Sequence, residues 1–206
     1  MTSHTGTTED PTGTTEPTGD TAGAGTAGLA GSDGTAGLDG TRASTETGAP
    51  EGSVVRIELT VDAPAGTAFD VFTTGMDTWW PRSHHLGAGP LAEVVVEPRV
   101  GGRLYGREDD GTPCPWGRVL AWDRPAHFAF SWDISLNWQH QPDHALTSRV
   151  DVTFTPVDDT HTTVTLVHSG LDQHGDGWET MRDSVASPGG WPMIHDDYAR
   201  AAAAAA

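Results

Sequence analysis

Residues 117–132, with the sequence GRVLAWDRPAHFAFSW, decide the fold class of this chain. Apolar side chains alternate with others on both sides of the turn at residues 123–126, a pattern typical of two antiparallel strands with one buried face. The predicted register pairs Gly117 with Trp132, Val119 with Phe130 and Ala121 with Phe128. Because each pair places a small residue opposite a large one, this face is predicted to point into the core.

The same alternation extends in both directions from this hairpin. A second hairpin, which turns at Asp158 and Asp159, has a polar outer face. Its predicted register pairs Val150 with His168, Val152 with Leu166 and Phe154 with Val164. Turn residues separate the runs at the spacing of an antiparallel meander. Seven strands are predicted, centred on residues 55–61, 94–96, 104–107, 117–122, 128–132, 149–154 and 163–168.

Helical spacing occurs after the first strand and again near the C-terminal end. Pro64 opens a first short helix, a second one precedes Pro81, and the segment 188–190 breaks the long terminal helix into two halves. The apolar positions of these helices are Ala68, Phe69 and Phe72, then Met76, Trp79 and Trp80, then Trp178, Met181 and Val185, then Trp191, Ile194 and Tyr198. The predicted fold class is α+β: a curved antiparallel sheet of about seven strands around a long C-terminal helix, with two short helices after the first strand.

The composition divides the chain into two parts. Residues 1–52 consist mainly of Thr, Gly, Ala, Asp, Glu and Pro, and every Trp, Phe and Tyr lies at or after Phe69. A segment with so little apolar surface cannot offset a backbone ordering cost of about 1–2 kcal/mol per residue. We therefore predict a disordered acidic tail over residues 1–52 and one folded domain over residues 53–203.

Charge and cysteine content exclude several function classes. The formal net charge is −18 and the chain has no lysine, whereas nucleic-acid binding needs a concentrated basic face. Cys114 is the sole cysteine, so the chain has no intrachain disulfide and lacks the paired thiolates of a structural zinc site. We found neither a signal peptide nor a long apolar run. These features predict a cytoplasmic protein that binds neither nucleic acid nor a membrane.

Several short motifs carry a resemblance to a known family. They are Trp79-Trp80-Pro81, the run 97–103 (EPRVGGR), Trp116-Gly117-Arg118-Val119 with Pro125, Phe130-Ser131-Trp132, Phe154-Thr155-Pro156 and Gly190-Trp191. From about Ser53 to Arg200 the chain resembles the START-type, birch-pollen-allergen-like helix-grip superfamily (SRPBCC). Within it, the chain is similar to the branch of the C-terminal domain of the heat-shock protein 90 ATPase activator. That branch includes co-chaperone domains, polyketide cyclase-like proteins and drug-sequestering resistance proteins, so the resemblance implies the fold and leaves the function open.

The eight tryptophans suggest an internal ligand pocket. This number exceeds what a core of about 150 residues needs, and the N–H of a buried Trp requires a partner. We predict an aromatic pocket between the sheet and the terminal helix. Its predicted ligand-binding residues are Trp80, Val119, Phe130, Trp132, Trp138, His168 and Trp191. The alternative is that these side chains form ordinary core.

The histidines are candidates for chemistry. His168 is the ionisable residue that the predicted register places among inward apolar residues, so it is a weak catalytic candidate that could orient a ligand hydroxyl or act as a general base. The pair His84 and His85 and the pair His140 and His144 are interpreted as exposed loop residues, because their spacing does not suit one metal ion. No metal and no cofactor are predicted.

Three functions follow as hypotheses. The first is binding of an apolar or aromatic small molecule in the pocket. The second is an enzyme similar to polyketide cyclases or aromatases, which would need an acid–base pair facing the pocket, of which only His168 is identified. The third is a co-chaperone that contacts a large ATPase through its outer surface. The outer faces are mostly polar, with Trp116 and Trp122 as candidate exceptions, and both a monomer and a homodimer are compatible with the sequence.

Overall fold

The computed structural model describes residues 52–206. The prediction of a disordered acidic tail concerns a segment that lies, up to residue 51, outside the described residues. The strands are β1 (Val55–Val61), β2 (Leu91–Val96), β3 (Arg103–Glu108), β4 (Pro113–Asp123), β5 (His127–Trp132), β6 (Ser148–Pro156) and β7 (Thr162–Ser169). The α-helices are α1 (Ala65–Phe72), α2 (Trp178–Ala186) and α3 (Trp191–Ala204), and three 3₁₀ turns span Met76–Thr78, His144–Leu146 and Leu171–His174.

The seven strands form one antiparallel sheet in the order β1-β7-β6-β5-β4-β3-β2. Each strand from β2 to β6 pairs with the next one along the chain, and β1 lies at the edge beside β7. The curved sheet carries α3 across its inner face, with α1 after the first strand. This arrangement confirms the predicted α+β fold class.

The hairpin of β4 and β5 has a different register from the predicted one. Val119 faces Phe130 as predicted, but the pairing shifts after it, so that Ala121 faces Ala129 and not Phe128. The shift is a β-bulge, which places two residues of one strand opposite one residue of its partner. As a consequence Trp122 faces Phe128 and packs edge-on against Phe69 and Phe128, with ring centroids 5.3 and 5.5 Å apart. The placement of Trp122 on the outer face was wrong.

The hairpin of β6 and β7 follows the predicted register at every pair. Val150 faces His168, Val152 faces Leu166 and Phe154 faces Val164. These six side chains are buried, whereas the neighbouring Thr153 and Thr155 are exposed. A strict alternation of this kind specifies the register, because a slip by one residue would bury the polar face.

The helices bury the residues that the helical spacing identified, except Trp178 of α2, which is half buried. Ala68, Phe69 and Phe72 are buried on α1, and the Tyr198 hydroxyl of α3 donates to the Ala68 carbonyl at 2.9 Å, which joins the two helices. The second predicted short helix is a single 3₁₀ turn, with Trp79 and Trp80 immediately after it. Among the described residues, no helix combines the length and apolar character needed to cross a membrane.

The break between α2 and α3 lies at residues 187–190, as the Pro-Gly-Gly sequence predicted. A Cβ atom on Gly190 would lie 2.4 Å from the Val185 carbonyl oxygen and 2.6 Å from that of Ser184. A Cβ atom on Gly189 would meet nothing within 4 Å. The chain therefore requires glycine at position 190, because a larger side chain has no space there.

We expect Gly190→Ala to lower the free energy of unfolding by about 1–3 kcal/mol, because backbone atoms cannot move aside without distorting the end of α2. Gly189→Ala is the matched control and should stay within about 0.5 kcal/mol of the wild type. Urea unfolding of both variants measures the difference. Equal stability of the two variants would contradict the assigned close contact.

Candidate functional site

The structure contains a cavity of about 230 Å³. Its walls come from the loop 80–86 after the first 3₁₀ turn, from Trp116 on β4, from the end of β5 with the loop that follows, and from the first turn of α3. Trp80, Trp132, Trp138 and Ile194 are among the side chains that line it. The surface of the cavity is mostly apolar, as is typical of small-molecule sites.

A second cavity of about 150 Å³ adjoins the first one. It shares His84, Trp132, Trp138 and Ile194 with its neighbour, and its remaining walls include Trp191 and the end of α2. We call the two cavities together the aromatic cleft; its tryptophan walls are Trp80, Trp116, Trp132, Trp138 and Trp191. Trp132 and Trp191 meet at a centroid distance of 5.4 Å, and Trp80 lies 6.4 Å from Trp191.

The seven predicted site residues fall into two groups. Trp80, Trp132, Trp138 and Trp191 line the aromatic cleft. The other three, Val119, Phe130 and His168, do not line either cavity and lie behind its walls as fully buried core residues. The structure thus brings together the four tryptophans of the prediction and places the other three side chains one layer deeper.

Sequence reasoning missed several lining residues. Trp116, a candidate exception on the outer face, is buried, lines the larger cavity and stacks on Trp80 at 5.1 Å with an interplanar angle of 19°. His84 and His85, interpreted as exposed loop residues, also line that cavity, although His84 is indeed exposed to solvent. Only three residues separate Trp80 from His84. This short distance in sequence was a usable signal, because a loop that follows a wall residue stays near the wall.

His84 links the two sides of the cleft. Its Nε2 lies 3.2 Å from the Gly189 carbonyl oxygen, and because a carbonyl only accepts, the ring nitrogen is the donor. This contact connects the loop 80–86 with the break between α2 and α3, which are 105 residues apart in sequence. His84 is therefore the ionisable side chain that borders both cavities.

Trp138 stands at the mouth of the cleft in a strained conformation. Its φ of 57° lies in the left-handed region, which costs a residue with a side chain about 1–2 kcal/mol. The Trp138 N–H donates to the Ser135 carbonyl at 2.9 Å, and the side chain is 45% exposed. Strain of this kind is concentrated at binding and catalytic sites. An exposed tryptophan over an apolar cavity can cover a ligand.

A partly buried ion pair anchors the loop that carries Trp138. Asp133 is 4% exposed, and its carboxylate accepts from Arg118 Nε at 2.9 Å and from the same guanidinium through Nη2 at 3.2 Å. The Asp133 N–H donates to the Trp116 carbonyl at 3.0 Å, and its carbonyl accepts from Gln141 at 2.9 Å. These bonds therefore hold the loop from Asp133 to Gln141 at both of its ends.

A chain of hydrogen bonds lies behind the aromatic cleft. The Trp191 indole N–H can only donate, so its 3.1 Å contact makes His168 Nδ1 the acceptor. The neutral His168 ring then carries its proton on Nε2, which donates to Ser148 Oγ at 2.7 Å. The Ser148 hydroxyl in turn donates to His174 Nε2 at 2.8 Å. One tautomer of each histidine satisfies all three hydrogen bonds.

Burial keeps this chain of groups neutral. Removal from water, with a smaller contribution from His174, lowers the pKa of His168 to about 3, and removal from water lowers the pKa of His174 as well. Both ring nitrogens of His168 are occupied by Trp191 and Ser148, and the ring is fully buried. The geometry favours a supporting role for His168 behind Trp191 over direct contact with a substrate.

The cleft offers little for metal binding. Within residues 52–206, no group of three or more His, Cys, Asp or Glu side chains is arranged to hold an ion.

Cys114 is a half-buried free thiol, and it lies 3.6 Å from a Glu108 carboxylate oxygen. Burial, together with the charge of Glu108, raises the pKa of the Cys114 thiol, which disfavours the reactive thiolate.

Comparison with known proteins identifies similar chains. Residues 62–197 match the family described as Activator of Hsp90 ATPase homolog 1-like protein. Among curated proteins, none matches the chain significantly. The solved structure of the anthrahydroquino-γ-pyrone synthase Txn09, in complex with SUM, is similar at 37% identity and a TM-score of 0.53, over 72% of this chain and 96% of that one.

Two further structures have the same fold. CalC from Micromonospora echinospora, a self-sacrificing resistance protein, is similar at 26% identity and a TM-score of 0.53, over 72% of this chain and 93% of CalC. A protein from Nitrosomonas europaea is similar at 13% identity and a TM-score of 0.53, over 73% of this chain and 94% of that one. At this low identity, the last similarity concerns the fold alone.

Proposed function

This chain belongs to the family of Activator of Hsp90 ATPase homolog 1-like proteins, and we propose that it binds a flat, largely apolar aromatic small molecule in the aromatic cleft. The observation that carries the proposal is the set of five tryptophans, Trp80, Trp116, Trp132, Trp138 and Trp191, around two adjoining cavities. Aromatic rings favour stacked or edge-on contacts with other rings. A planar ligand can make both kinds of contact with these walls.

The size of the cleft supports a small ligand. The cavities measure about 230 and 150 Å³, and pockets for drug-sized compounds usually measure about 300–1,000 Å³. Polar side chains are few: Ser83, His84 and His85 line the larger cavity, and Ser184 and Ser187 line the smaller one. A compound of two or three fused rings with few polar groups fits these walls.

Similarity to two named proteins also supports the proposal. Txn09 is a synthase whose name denotes a fused aromatic product, and CalC is a self-sacrificing resistance protein. The first name denotes synthesis of a small molecule, and the second denotes resistance. The capacity to hold a fused aromatic compound, taken from the name of Txn09, is the property that we transfer to this chain.

Catalysis is the second candidate function, and the 37% identity to a synthase favours it. If turnover occurs, His84 is a better candidate for proton transfer than His168, because His84 borders both cavities and His168 is enclosed behind Trp191. Loss of product formation in His84→Phe with unchanged ligand affinity would favour this function over binding alone.

The co-chaperone hypothesis receives less support from the surface. Within the described part of the chain, the exposed large apolar side chains are Val54, Val100, Trp138, Leu146 and Val157. They lie in separate loops and strand ends, and Trp138 belongs to the cleft. A docking surface for a large protein would group such residues.

A cytoplasmic location stays a prediction, supported by the free thiol of Cys114.

Trp138→Ala tests the proposed site. We expect the neutral dye N-phenyl-1-naphthylamine to bind the wild type with 1:1 stoichiometry and to quench tryptophan emission. Removal of the Trp138 ring should weaken this binding by about 2 kcal/mol, the size typical of a central aromatic contact. The melting temperature should change little, because Trp138 is half exposed. Fluorescence titration and thermal unfolding provide the two measurements.

Trp178→Ala is the matched control. Trp178 is half buried on α2 beneath the guanidinium of Arg182, and it lines neither cavity. We expect this variant to bind the dye with wild-type affinity. Equal loss of affinity in both variants, or no stoichiometric binding by the wild type, would contradict the proposed site.

A further inference from the structure

The indole N–H of Trp132, in the wall of the aromatic cleft, is a buried donor that lacks a hydrogen-bond partner among the described residues. The Trp132 side chain borders both cavities and is 5% exposed. Its Nε1–H is buried and has no hydrogen-bond acceptor within residues 52–206. Buried N–H groups are nearly always paired, so an unpaired one in a cavity wall calls for an explanation.

Two other enclosed walls, Trp80 and Trp191, satisfy their own indole donors. Trp80 Nε1 donates to the His84 carbonyl at 2.8 Å, and Trp191 Nε1 donates to His168 Nδ1 at 3.1 Å. The surroundings of Trp132 provide mainly rings: Trp116 at 6.2 Å and Trp191 at 5.4 Å, inclined at 65° and 61°. A contact between an N–H and a ring face is a weak substitute for an oxygen acceptor. An acceptor on the ligand is the stronger partner.

We propose that Trp132 Nε1–H selects ligands that carry a neutral carbonyl oxygen on the edge of a fused aromatic ring system. This inference rests on the proposed binding function and assigns the ligand class. A neutral oxygen is favoured over a charged one, because neither cavity has an arginine among its lining residues. An anionic oxygen would lose its hydration there without gaining a cation.

Access to the nitrogen requires a small rearrangement, because the atom is covered by protein. Trp138 lines the same two cavities, is half exposed and has the strained backbone conformation described above. Because Trp138 combines solvent exposure with a strained backbone, we expect the rearrangement that uncovers the Trp132 nitrogen to involve this residue.

A matched pair of probes tests the selection. Fluorene and 9-fluorenone share one flat three-ring skeleton and differ by a single carbonyl group. We expect the wild type to bind 9-fluorenone about fivefold more tightly than fluorene, the factor typical of one net hydrogen bond. Trp132→Phe keeps an aromatic ring and removes the donor, so the ratio of the two affinities should fall to about one. Titration calorimetry measures both affinities.

Trp80→Phe is the control, because Trp80 already donates to His84. This variant should weaken both probes together and preserve their ratio. A wild type that binds both probes equally, or a Trp132→Phe variant that retains the preference, would overturn the inference while leaving the proposed function intact. Binding of neither probe by the wild type would overturn both.

A measurement on the wild type covers the case in which Trp132→Phe does not fold. The assigned Trp132 indole N–H resonance should move downfield when 9-fluorenone binds, as expected for a new hydrogen bond, and should move little with fluorene. The same displacement with both probes would overturn the assignment of Trp132 as the selecting donor.

Discussion

Acidification from pH 7 to pH 4.5 should lower the free energy of unfolding by about 5 kcal/mol, because two buried histidines stay neutral in the folded chain. Burial, with a smaller contribution from His174, lowers the pKa of His168 to about 3, and burial lowers the pKa of His195 to about 4 against an opposing effect of Asp196. In the unfolded chain both rings take up a proton near pH 6.5. Their contribution to stability is therefore fully present above pH 6.5 and is lost as the pH falls towards the folded-state values.

His195→Met isolates about half of this effect. Both ring nitrogens of His195 are buried without a hydrogen-bond partner among the described residues, and the ring stacks on Tyr198 at 6.3 Å. An apolar side chain of similar size removes the cost of burying these groups. The variant should be at least as stable as the wild type at pH 7 and about 3 kcal/mol more stable at pH 4.5.

Urea unfolding at the two pH values measures these differences. His140→Met is the control, because His140 is exposed, and it should follow the wild-type dependence on pH. A wild type with equal stability at pH 7 and pH 4.5 would show that the buried rings accept protons without unfolding the domain.

Trp191→Ala should lower the free energy of unfolding by about 3–5 kcal/mol, the usual cost of removing a large buried aromatic side chain. Trp191 is 1% exposed, contacts Trp80, Trp132 and His168 through its ring, and donates a hydrogen bond to His168. Because small domains are typically stable by only about 5–15 kcal/mol, this single change removes a large part of the total. Urea unfolding with circular dichroism measures the loss.

Two variants separate the causes of that loss. Trp191→Phe keeps part of the ring but leaves His168 Nδ1 without a donor, so it should cost about 1–3 kcal/mol for the unpaired group in addition to the smaller volume. Trp138→Ala, at the exposed wall of the same cleft, should change stability far less. If Trp191→Ala were as stable as Trp138→Ala, Trp191 would not be the structural support that its burial indicates.

The two hairpins illustrate how much of the fold could be predicted. The register of β6 and β7 was predicted correctly, because Val150, Val152 and Phe154 alternate with polar residues and leave one buried face. The register of β4 and β5 was wrong beyond Val119, because the bulge turns Trp122 towards Phe69 on α1. The alternation within one strand does not reveal that packing against a distant helix stabilises such a shift in register.

The candidate site was predictable in part for a related reason. Trp80, Trp132, Trp138 and Trp191 were identified as pocket residues because tryptophan is seldom needed in such numbers in a small core. From the sequence, Trp116 was a candidate for the outer surface. In the structure it stacks on Trp80 inside the cleft. That contact joins two segments 36 residues apart, from residue 80 to residue 116, and no local pattern reports it.

The sequence by itself determined the seven strands, the three α-helices, the break at residues 188–190 and the family, because these follow from short-range periodicity, turn residues and motifs. Only the tertiary structure decided which side chains enclose the cleft, because its walls come from the segments 80–86, 132–138 and 184–194 and from Trp116. It also decided that His168 supports Trp191 from behind. The depth of a side chain depends on what packs over it, and that covering layer is supplied by segments far away in the chain.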